Sequence, residues 1–211
     1  MKSVQHLEQA GFGINQVDEY QEKLYKDFMR KEVKIVLIET PSVEQSKKIS
    51  ELQRLCFVDV DSEEADEDFY HSPSVQIVAY VGDVLVGWAG VHISEQTYKN
   101  YRIKLGGYGI CTHPDFRQMG IATKVAGEAM TYLKDKGCDI GFLSVNSEDQ
   151  KSIKLHQKYG FMMLPQYFSW TNNEGEIKED TGGMIAPINS EELFNLVLDG
   201  SDNLYVGEGY W

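Results

Sequence analysis

The chain has 211 residues, which is enough for one domain with a sizeable hydrophobic core. Its 33 acidic side chains outnumber 20 basic ones and give a formal net charge of -13, which argues against a nucleic-acid partner because the phosphates would be repelled. A cationic small molecule or a basic peptide fits this charge, unless the charge serves only to keep the protein soluble.

The cysteines and the apolar runs further limit the class of protein that the sequence predicts. Cys56, Cys111 and Cys138 form no C-x-x-C pair and have no histidine at metal-ligand spacing, which indicates neither a disulfide framework nor a zinc site. We therefore expect reduced, half-buried thiols and no metal. The N-terminus lacks the apolar run of a signal peptide, and no stretch of 18 apolar residues occurs. These features predict a soluble, cytoplasmic protein that does not bind a membrane.

The N-terminal part of the chain combines helical and strand patterns. Residues 1–32 are predicted to form an N-terminal helical extension, and residues 33–39 a short strand. Pro41 and Ser42 favour the start of a helix. The acidic stretch at residues 59–68 must then be exposed or lie beside positive charge.

The rest of the chain predicts a mixed sheet with helices packed on it. Two β-branched runs separated by Gly82-Asp83 indicate a hairpin at the heart of an antiparallel sheet. The predicted elements are strands at 75–81, 84–93, 103–112 and 140–145, helices at 119–136 and 149–159, and further short strands. No Pro- or Ser-rich linker divides the chain, so we expect residues 33–211 to form one α/β domain with a mixed, largely antiparallel sheet.

The segment from Ile110 to Ala122 carries the clearest functional signal. A strand ends there and a glycine-containing turn opens a long helix, which offers free backbone N–H groups at the positive end of a helix dipole, as a pyrophosphate requires. Gly120 lets a ligand approach the backbone, and Arg117 adds positive charge. The alternative is an ordinary strand-to-helix connection with an incidental glycine.

This segment resembles the acetyl-CoA motif of the GNAT superfamily, Gln/Arg-x-x-Gly-x-Gly/Ala, which Arg117, Gly120 and Ala122 match. The strand at residues 141–146 and the segment ending in Tyr159-Gly160-Phe161 are similar to two further parts of that superfamily. The resemblance implies a sheet splayed between Thr112 and Ile140, and direct acetyl transfer from acetyl-CoA to an amine. It implies cofactor contacts from Ile110, Cys111, Thr112, Arg117, Gln118, Met119, Gly120, Ile121, Ala122, Thr123 and Asn146.

A proton must return to the departing thiolate, and the superfamily often uses a tyrosine for this step. Counting back from Gly160-Phe161 places His156 at that position. A histidine has a suitable pKa to be the donor, so His156 is the predicted catalytic residue. In the alternative, His156 faces solvent or the cleft wall and water supplies the proton. Tyr159 lies on a different helix face and is the weaker candidate.

The C-terminal third resembles the aminoglycoside 2'-N-acetyltransferases, from the turn at Thr171 to Gly175 through the ending Gly207-Glu208-Gly209-Tyr210-Trp211. In that family acidic side chains and the terminal carboxylate hold the drug's ammonium groups. The resemblance implies acceptor contacts from Asp59, Asp61, Tyr108, Ser144, Glu179, Glu208 and Trp211. The alternative for each acidic residue is a solvated surface charge.

One position departs from the pattern of those enzymes. They carry a glutamate, the proposed base, where this chain has Tyr108 before Gly109. A phenol with its ordinary pKa near 10 is a poor base, so the base is either water or a more distant carboxylate.

The expected function is acetyl transfer to an aminoglycoside or similar polycation. The alternatives are a GNAT enzyme for another amine, such as a polyamine, an amino sugar or a peptide N-terminus, and a weakly active acyl-CoA-binding module. The Tyr-rich, acidic C-terminus either lines an acceptor pocket or forms a homodimer contact.

Overall fold

A computed structural model describes residues 32–57 and 73–209 of the chain. The predicted helical extension at residues 1–32, apart from residue 32, lies outside the described residues, as do Asp59, Asp61 and Trp211. In the described part of the chain, no helix has both the length and the apolar character needed to span a bilayer.

The first described elements are strand β1 (Val33–Ile38) and helix α1 (Val43–Cys56). Ser42 caps α1: its hydroxyl accepts from the Gln45 N–H while the Gln45 side chain accepts from the Ser42 N–H. This capping box fixes the helix start that the sequence predicts. Ile49 and Leu52 are the buried residues of α1 and pack it onto the central sheet.

The central sheet has seven strands, and its antiparallel core is a meander of β1, β2 (Val75–Val81), β3 (Val84–Tyr98) and β4 (Tyr101–Thr112). The predicted hairpin is confirmed, but β3 extends beyond residue 93, the predicted end. Its added residues are mostly polar, yet they pair with β4 in unbroken register from Ser94 opposite Leu105 to Tyr98 opposite Tyr101. Hydrophobic patterning misses such a segment because backbone pairing, not burial, defines it.

The sheet opens between β4 and β5 (Ile140–Ser144), which run parallel. The pairing is limited to Leu105 with Ile140 and Gly106 with Gly141, although β4 continues to Thr112. The two strands therefore diverge, which confirms the predicted α/β fold with a splayed, largely antiparallel sheet.

Helix α2 (Ile121–Asp135) follows β4 after a short 3-10 turn, and α3 (Gln150–Gln157) follows β5. Helix α2 lies against β3 so closely that a Cβ on Gly87 would stand 2.5 Å from Ile121 Cγ2. A side chain at residue 87 would therefore push the helix off the sheet. Helix α2 begins two residues later than predicted because Gly120 is its N-cap.

The C-terminal part completes the central sheet and adds a second one. The remaining elements are β6 (Met162–Met163), β7 (Phe168–Thr171), β8 (Ile177–Asp180), β9 (Gly183–Pro187), α4 (Glu191–Leu198) and β10 (Leu204–Glu208). Strands β9 and β6 extend the central sheet beyond β5, whereas β10, β7 and β8 form a three-stranded sheet in that order. The sequence reasoning did not predict α4, although Ser190 caps it and Glu191 and Glu192 follow.

Candidate active site

The turn before α2 holds its backbone in a shape that leaves amides exposed. Gln118 and Gly120 both adopt left-handed backbone conformations, with φ of 63° and 76°. No side chain caps α2, and its first intrahelical bond joins the Lys124 N–H to the Gly120 carbonyl at 3.1 Å. The three preceding helical amides therefore have no partner inside the helix. A Cβ on Gly120 would meet nothing within 4 Å, so a ligand can approach this backbone directly.

A cleft of about 780 Å³ opens in front of these amides. It lies between the end of β4, the C-terminal end of α1, the N-terminus of α2 and one face of α3. The predicted cofactor residues that line it are Ile110, Cys111, Thr112, Arg117, Gln118, Gly120, Ala122 and Thr123.

The side chains of three of the predicted cofactor residues do not line the cleft. Ile121 is buried in the core and Met119 packs against it. Asn146 is exposed, and its side-chain oxygen accepts a hydrogen bond from the Glu148 N–H at 2.9 Å. The side chains of these residues are therefore occupied elsewhere, although Ile121 still presents one of the free amides of α2.

Helices α1 and α3 contribute lining residues that the sequence reasoning did not single out. These are Cys56, Phe57, Asp149, Lys151, Ser152, Leu155 and Lys158. The sequence could have indicated the lining residues of α3, because positions 151, 155 and 158 follow helical spacing and share one face. With Arg117, Lys151 and Lys158, the cleft gathers three cationic side chains in a chain of net charge -13. This local charge suits an anionic ligand.

Behind the cleft, β4 and α3 bring Tyr108 and His156 together. The Tyr108 hydroxyl lies 3.2 Å from Nδ1 of His156, and both side chains are almost fully buried, at 2% and 3% exposure. The Phe161 ring meets both of them edge-on, with centroid distances of 6.1 and 5.8 Å. This three-ring cluster joins the inner face of β4 to α3 where the sheet splays.

Burial sets the protonation of this pair. It lowers the pKa of His156 to about 4, since the opposing attraction of Asp149 is weaker, so the ring is neutral at neutral pH. Burial also raises the pKa of Tyr108 above its ordinary value. Neither residue lines the cleft, and His156 does not face solvent. A catalytic role for His156 stays a prediction.

Tyr159, the weaker candidate, is engaged elsewhere. Its hydroxyl donates to the Thr123 carbonyl in the first turn of α2. The bond ties the turn after α3 to the first turn of α2.

The family assignment follows from a comparison with protein-family models. The model of the acetyltransferase (GNAT) family matches residues 46–161. The chain belongs to this family. That match covers most of α1, the sheet opening, the turn before α2 and the three-ring cluster.

Individual relatives are more distant. A thialysine N-epsilon-acetyltransferase of Bos taurus is 26% identical over 121 residues, which cover 54% of this chain and 70% of that protein. The crystal structure of the ribosomal-protein-S18-alanine N-acetyltransferase from Escherichia coli has a TM-score of 0.51 at 15% identity, covering 76% of this chain and 98% of the other. A chain of the NatC complex bound to Gag peptide and CoA also reaches a TM-score of 0.51, at 15% identity, covering 73% and 98%.

The GNAT protein is thus an acetyl-CoA-dependent N-acetyltransferase. The cleft fits this donor: the exposed amides before and within the first turn of α2, the open space at Gly120 and the three cations suit its pyrophosphate. When bound, acetyl-CoA supplies an activated acetyl thioester. Within the described residues, no group of three or more His, Cys, Asp or Glu side chains is arranged to hold a metal ion.

Two of the predicted acceptor residues lie on the three-stranded sheet. Glu179 on β8 pairs opposite Ser169 of β7, and Glu208 at the end of β10 pairs opposite Thr171. Both glutamates are exposed. The Ser169 hydroxyl donates to Asn203 Oδ1 at 2.8 Å, and Asn203 Nδ2 donates to Glu179 at 2.8 Å. These residues define a polar face of the small sheet, opposite the face where Phe168 and its neighbours pack into the core.

A bulge brings Glu208 onto this polar face. Tyr205 pairs with Ser169, but two residues of β10 then lie opposite one residue of β7 before Glu208 pairs with Thr171. Side chains alternate along a strand, so without the extra residue Glu208 would point to the apolar side. Gly207 makes the bulge possible with a φ of 112°.

The small sheet is fastened to the same face of β3 that α1 covers. The Ser94 hydroxyl donates to the Val206 carbonyl at 2.9 Å, and Gly207 lies against Gln96. Ser144, the remaining predicted acceptor residue, lies at the end of β5 opposite Gly183 and is half-buried.

Proposed function

We propose that this enzyme acetylates a primary amine of a polycationic acceptor, with the aminoglycosides as the first candidate class. The observation that carries the proposal is the pair of exposed carboxylates, Glu179 and Glu208, which a β-bulge sets on one polar face. Two separated carboxylates suit an acceptor with several ammonium groups better than one with a single charge.

The acceptor is expected to approach from the face of the sheet that carries α1. The opposite face of β4 is filled by Tyr108, His156 and Phe161. On the α1 face, Gly107 and Gly109 contribute no side chains of their own, and the Trp88 ring lies beside Gly109. We propose that an amine held by the polar face reaches the cleft along this face of β4.

Charge favours capture of such an acceptor but opposes reaction. A chain of net charge -13 attracts a polycation and raises its association rate. The same carboxylates stabilise the ammonium form, whereas only the neutral amine attacks a thioester. Tyr108 does not remove this proton, because burial raises the pKa of its phenol. We propose that water takes the proton.

We propose that His156 donates the proton returned to the thiolate, but in its neutral form. Since burial lowers its pKa to about 4, His156 holds no extra proton at neutral pH. A proton from this pair would come from a neutral N–H or from the Tyr108 hydroxyl that contacts Nδ1. Such a donor adds no pH dependence of its own near neutrality, unlike an imidazolium acid.

A lysine-like acceptor is the second candidate. The bovine relative that is 26% identical over 121 residues is a thialysine N-epsilon-acetyltransferase. An acceptor of that kind presents one terminal amine on a short chain and needs fewer carboxylates. A weakly active acyl-CoA-binding module is the remaining alternative.

The test is release of free thiol from acetyl-CoA with a matched acceptor panel. The panel pairs aminoglycosides that differ only in a 2'-amine or a 2'-hydroxyl, and adds thialysine, lysine and linear polyamines. Turnover confined to the 2'-amino compounds supports the proposal. Turnover with thialysine but not with aminoglycosides would replace it with the second candidate, and binding of acetyl-CoA without any turnover would favour the binding module.

Two variants test the polar face in the same assay. Glu179→Gln and Glu208→Gln remove charge while keeping size, and Asp83→Asn in the β2–β3 turn is a matched control. The two glutamate variants should raise KM for the acceptor and leave that for acetyl-CoA unchanged. Equal effects from all three variants would point to the field of the whole protein rather than to this face.

A further inference from the structure

Two of the three cysteines face each other at the wall of the acetyl-CoA cleft. Cys56 is the last residue of α1, and Cys111 is the penultimate residue of β4. Both line the cleft, together with Thr112 and Arg117. Cys111 lies on the α1 face of the sheet because it pairs with Trp88, whose side chain packs in the cluster beneath α1.

Direct contacts hold these two thiols in place. The Cys56 thiol donates to the carbonyl of Thr112, the residue after Cys111, at 3.3 Å, and both cysteines pack in the cluster beneath α1. Cys111 is 7% exposed, while Cys56 is half-buried and reachable from the cleft. The third cysteine, Cys138, is fully buried against Gly106. Of the three cysteines, only Cys56 and Cys111 therefore lie close together where a reagent in the cleft can reach them.

The surroundings make the two thiols chemically different. The neighbouring Cys111 thiol and the nearby Arg117 guanidinium lower the pKa of Cys56. The neighbouring Cys56 and burial raise the pKa of Cys111. Cys56 is thus the better nucleophile and Cys111 the protonated partner that follows it.

We propose that Cys56 and Cys111 are an oxidisable dithiol that forms a reversible disulfide across the wall of the cleft, and that this disulfide and bound acetyl-CoA exclude each other. The inference rests on the proposed function only in placing acetyl-CoA in this cleft. A disulfide removes the bond from Cys56 to the Thr112 carbonyl and draws the end of α1 towards β4, which changes the lining. An occupant of the cleft, in turn, covers both sulfur atoms.

A low-molecular-weight disulfide serves as the oxidant. The Cys56 thiolate attacks one sulfur of the oxidant, forms a mixed disulfide and releases one thiolate. Cys111 gives up its proton, and its sulfur attacks the Cys56 sulfur, breaking the mixed disulfide and releasing the second thiol. The two cysteine sulfurs are oxidised to one S–S bond, and the oxidant is reduced to two thiols.

The experiment treats the reduced full chain with 2-hydroxyethyl disulfide, which is small and uncharged. Intact mass and peptide mapping follow the product, and calorimetry with desulfo-coenzyme A, which has no thiol to reverse the reaction, follows binding. We expect a product lighter by two hydrogens with Cys56 linked to Cys111. Its affinity for desulfo-coenzyme A should fall at least tenfold and return after dithiothreitol, and saturating ligand should slow oxidation because it covers both sulfur atoms.

Three variants complete the design. Cys56→Ser should abolish the change in affinity between oxidant-treated and reduced protein, whereas Cys138→Ala should keep it. Cys111→Ser should stop at the mixed disulfide on Cys56, which the intact mass shows as a gain of one half of the oxidant. If Cys111→Ser does not fold, Cys56→Ser at the helix end still tests the proposal. In the wild type, a mixed disulfide that persists on Cys56, or an internal disulfide without loss of affinity, would overturn the proposal. None of these measurements uses an acceptor, so a failed acceptor panel would leave the result intact.

Discussion

The cleft at the start of α2 and the polar face of the small sheet are built in opposite ways. The cleft presents backbone amides from one continuous stretch, and its decisive feature is the left-handed Gly120. The polar face presents side chains from three separate strands, joined by Asn203 and by a bulge at Gly207. A site made of backbone is damaged by changes of conformation, whereas a site made of carboxylates is damaged by changes of charge.

This contrast predicts that the largest effect comes from the backbone site. In Gly120→Glu, a side chain enters a left-handed position and a carboxylate enters the anion site, so we expect affinity for acetyl-CoA to fall roughly a thousandfold, or about 4 kcal/mol. Isothermal titration with desulfo-coenzyme A measures this loss directly.

The matched control is Gly137→Glu at the end of α2, where the glycine has a similar φ of 72° and equally open surroundings. It carries the same strain and the same charge away from the cleft. If both variants lost binding equally, strain rather than the anion site would explain the result.

A second prediction concerns the core between the two regions. The folded pKa of His156 is about 4, and the unfolded value is about 6.5. The unfolded chain therefore binds the proton first as pH falls, so the stability that the neutral ring contributes is complete above pH 6.5 and is lost towards pH 4. This group should lower the free energy of unfolding by about 2 kcal/mol between pH 7 and pH 5.

Urea unfolding of the wild type and of His156→Gln at both pH values isolates this contribution. The variant keeps a polar side chain but cannot titrate, so its stability should fall less on acidification by about the same 2 kcal/mol. Parallel pH profiles for the two proteins would contradict a buried, neutral His156. A variant that is less stable at both pH values, but whose free energy of unfolding falls less between them, still supports a buried, neutral His156.

The same contrast explains how far the sequence could be interpreted. Arg117, Gly120 and Ala122 lie close together in the chain, so their local pattern indicated both the anion site and the family. The hairpin followed from β-branched runs, and the splay between Thr112 and Ile140 followed from the resemblance to the GNAT superfamily. By contrast, the pairing of Tyr108 with His156 depends on how α3 packs across the opening of the sheet, and no local pattern encodes it. The bulge that turns Glu208 towards Glu179 is likewise set by pairing between distant strands.

A third prediction probes that bulge. In Gly207→Ala, the added Cβ would stand 2.6 Å from Gln96 Nε2 at a φ of 112°, which costs about 1–3 kcal/mol if the bulge persists. Relaxation of the bulge would turn Glu208 away from Glu179, so we expect KM for the acceptor to rise by up to about fivefold, as it would if that carboxylate were removed. Affinity for acetyl-CoA should stay unchanged.

The control for this variant is Gly175→Ala in the turn between β7 and β8. That glycine also has a left-handed φ, of 79°, but its surroundings are open. It should lose stability through backbone strain without a change in KM. A rise in KM with both variants would show that general loosening of the small sheet, and not the direction of Glu208, controls acceptor binding.

The smallest expected effect tests whether the acceptor is held by Glu179 and Glu208 or only attracted by the overall charge of the protein. Removing one exposed carboxylate in Glu208→Gln should raise KM for a polycationic acceptor about fivefold at low ionic strength, close to 1 kcal/mol, because an exposed ion pair contributes little more. Added salt should weaken acceptor binding in the wild type and shrink its difference from the variant. Binding of acetyl-CoA at the backbone site should be the same in both proteins at each salt concentration. A variant that matched the wild type throughout would mean that Glu208 is a solvated surface charge, and the polar face would then have to act through Glu179 and Asn203.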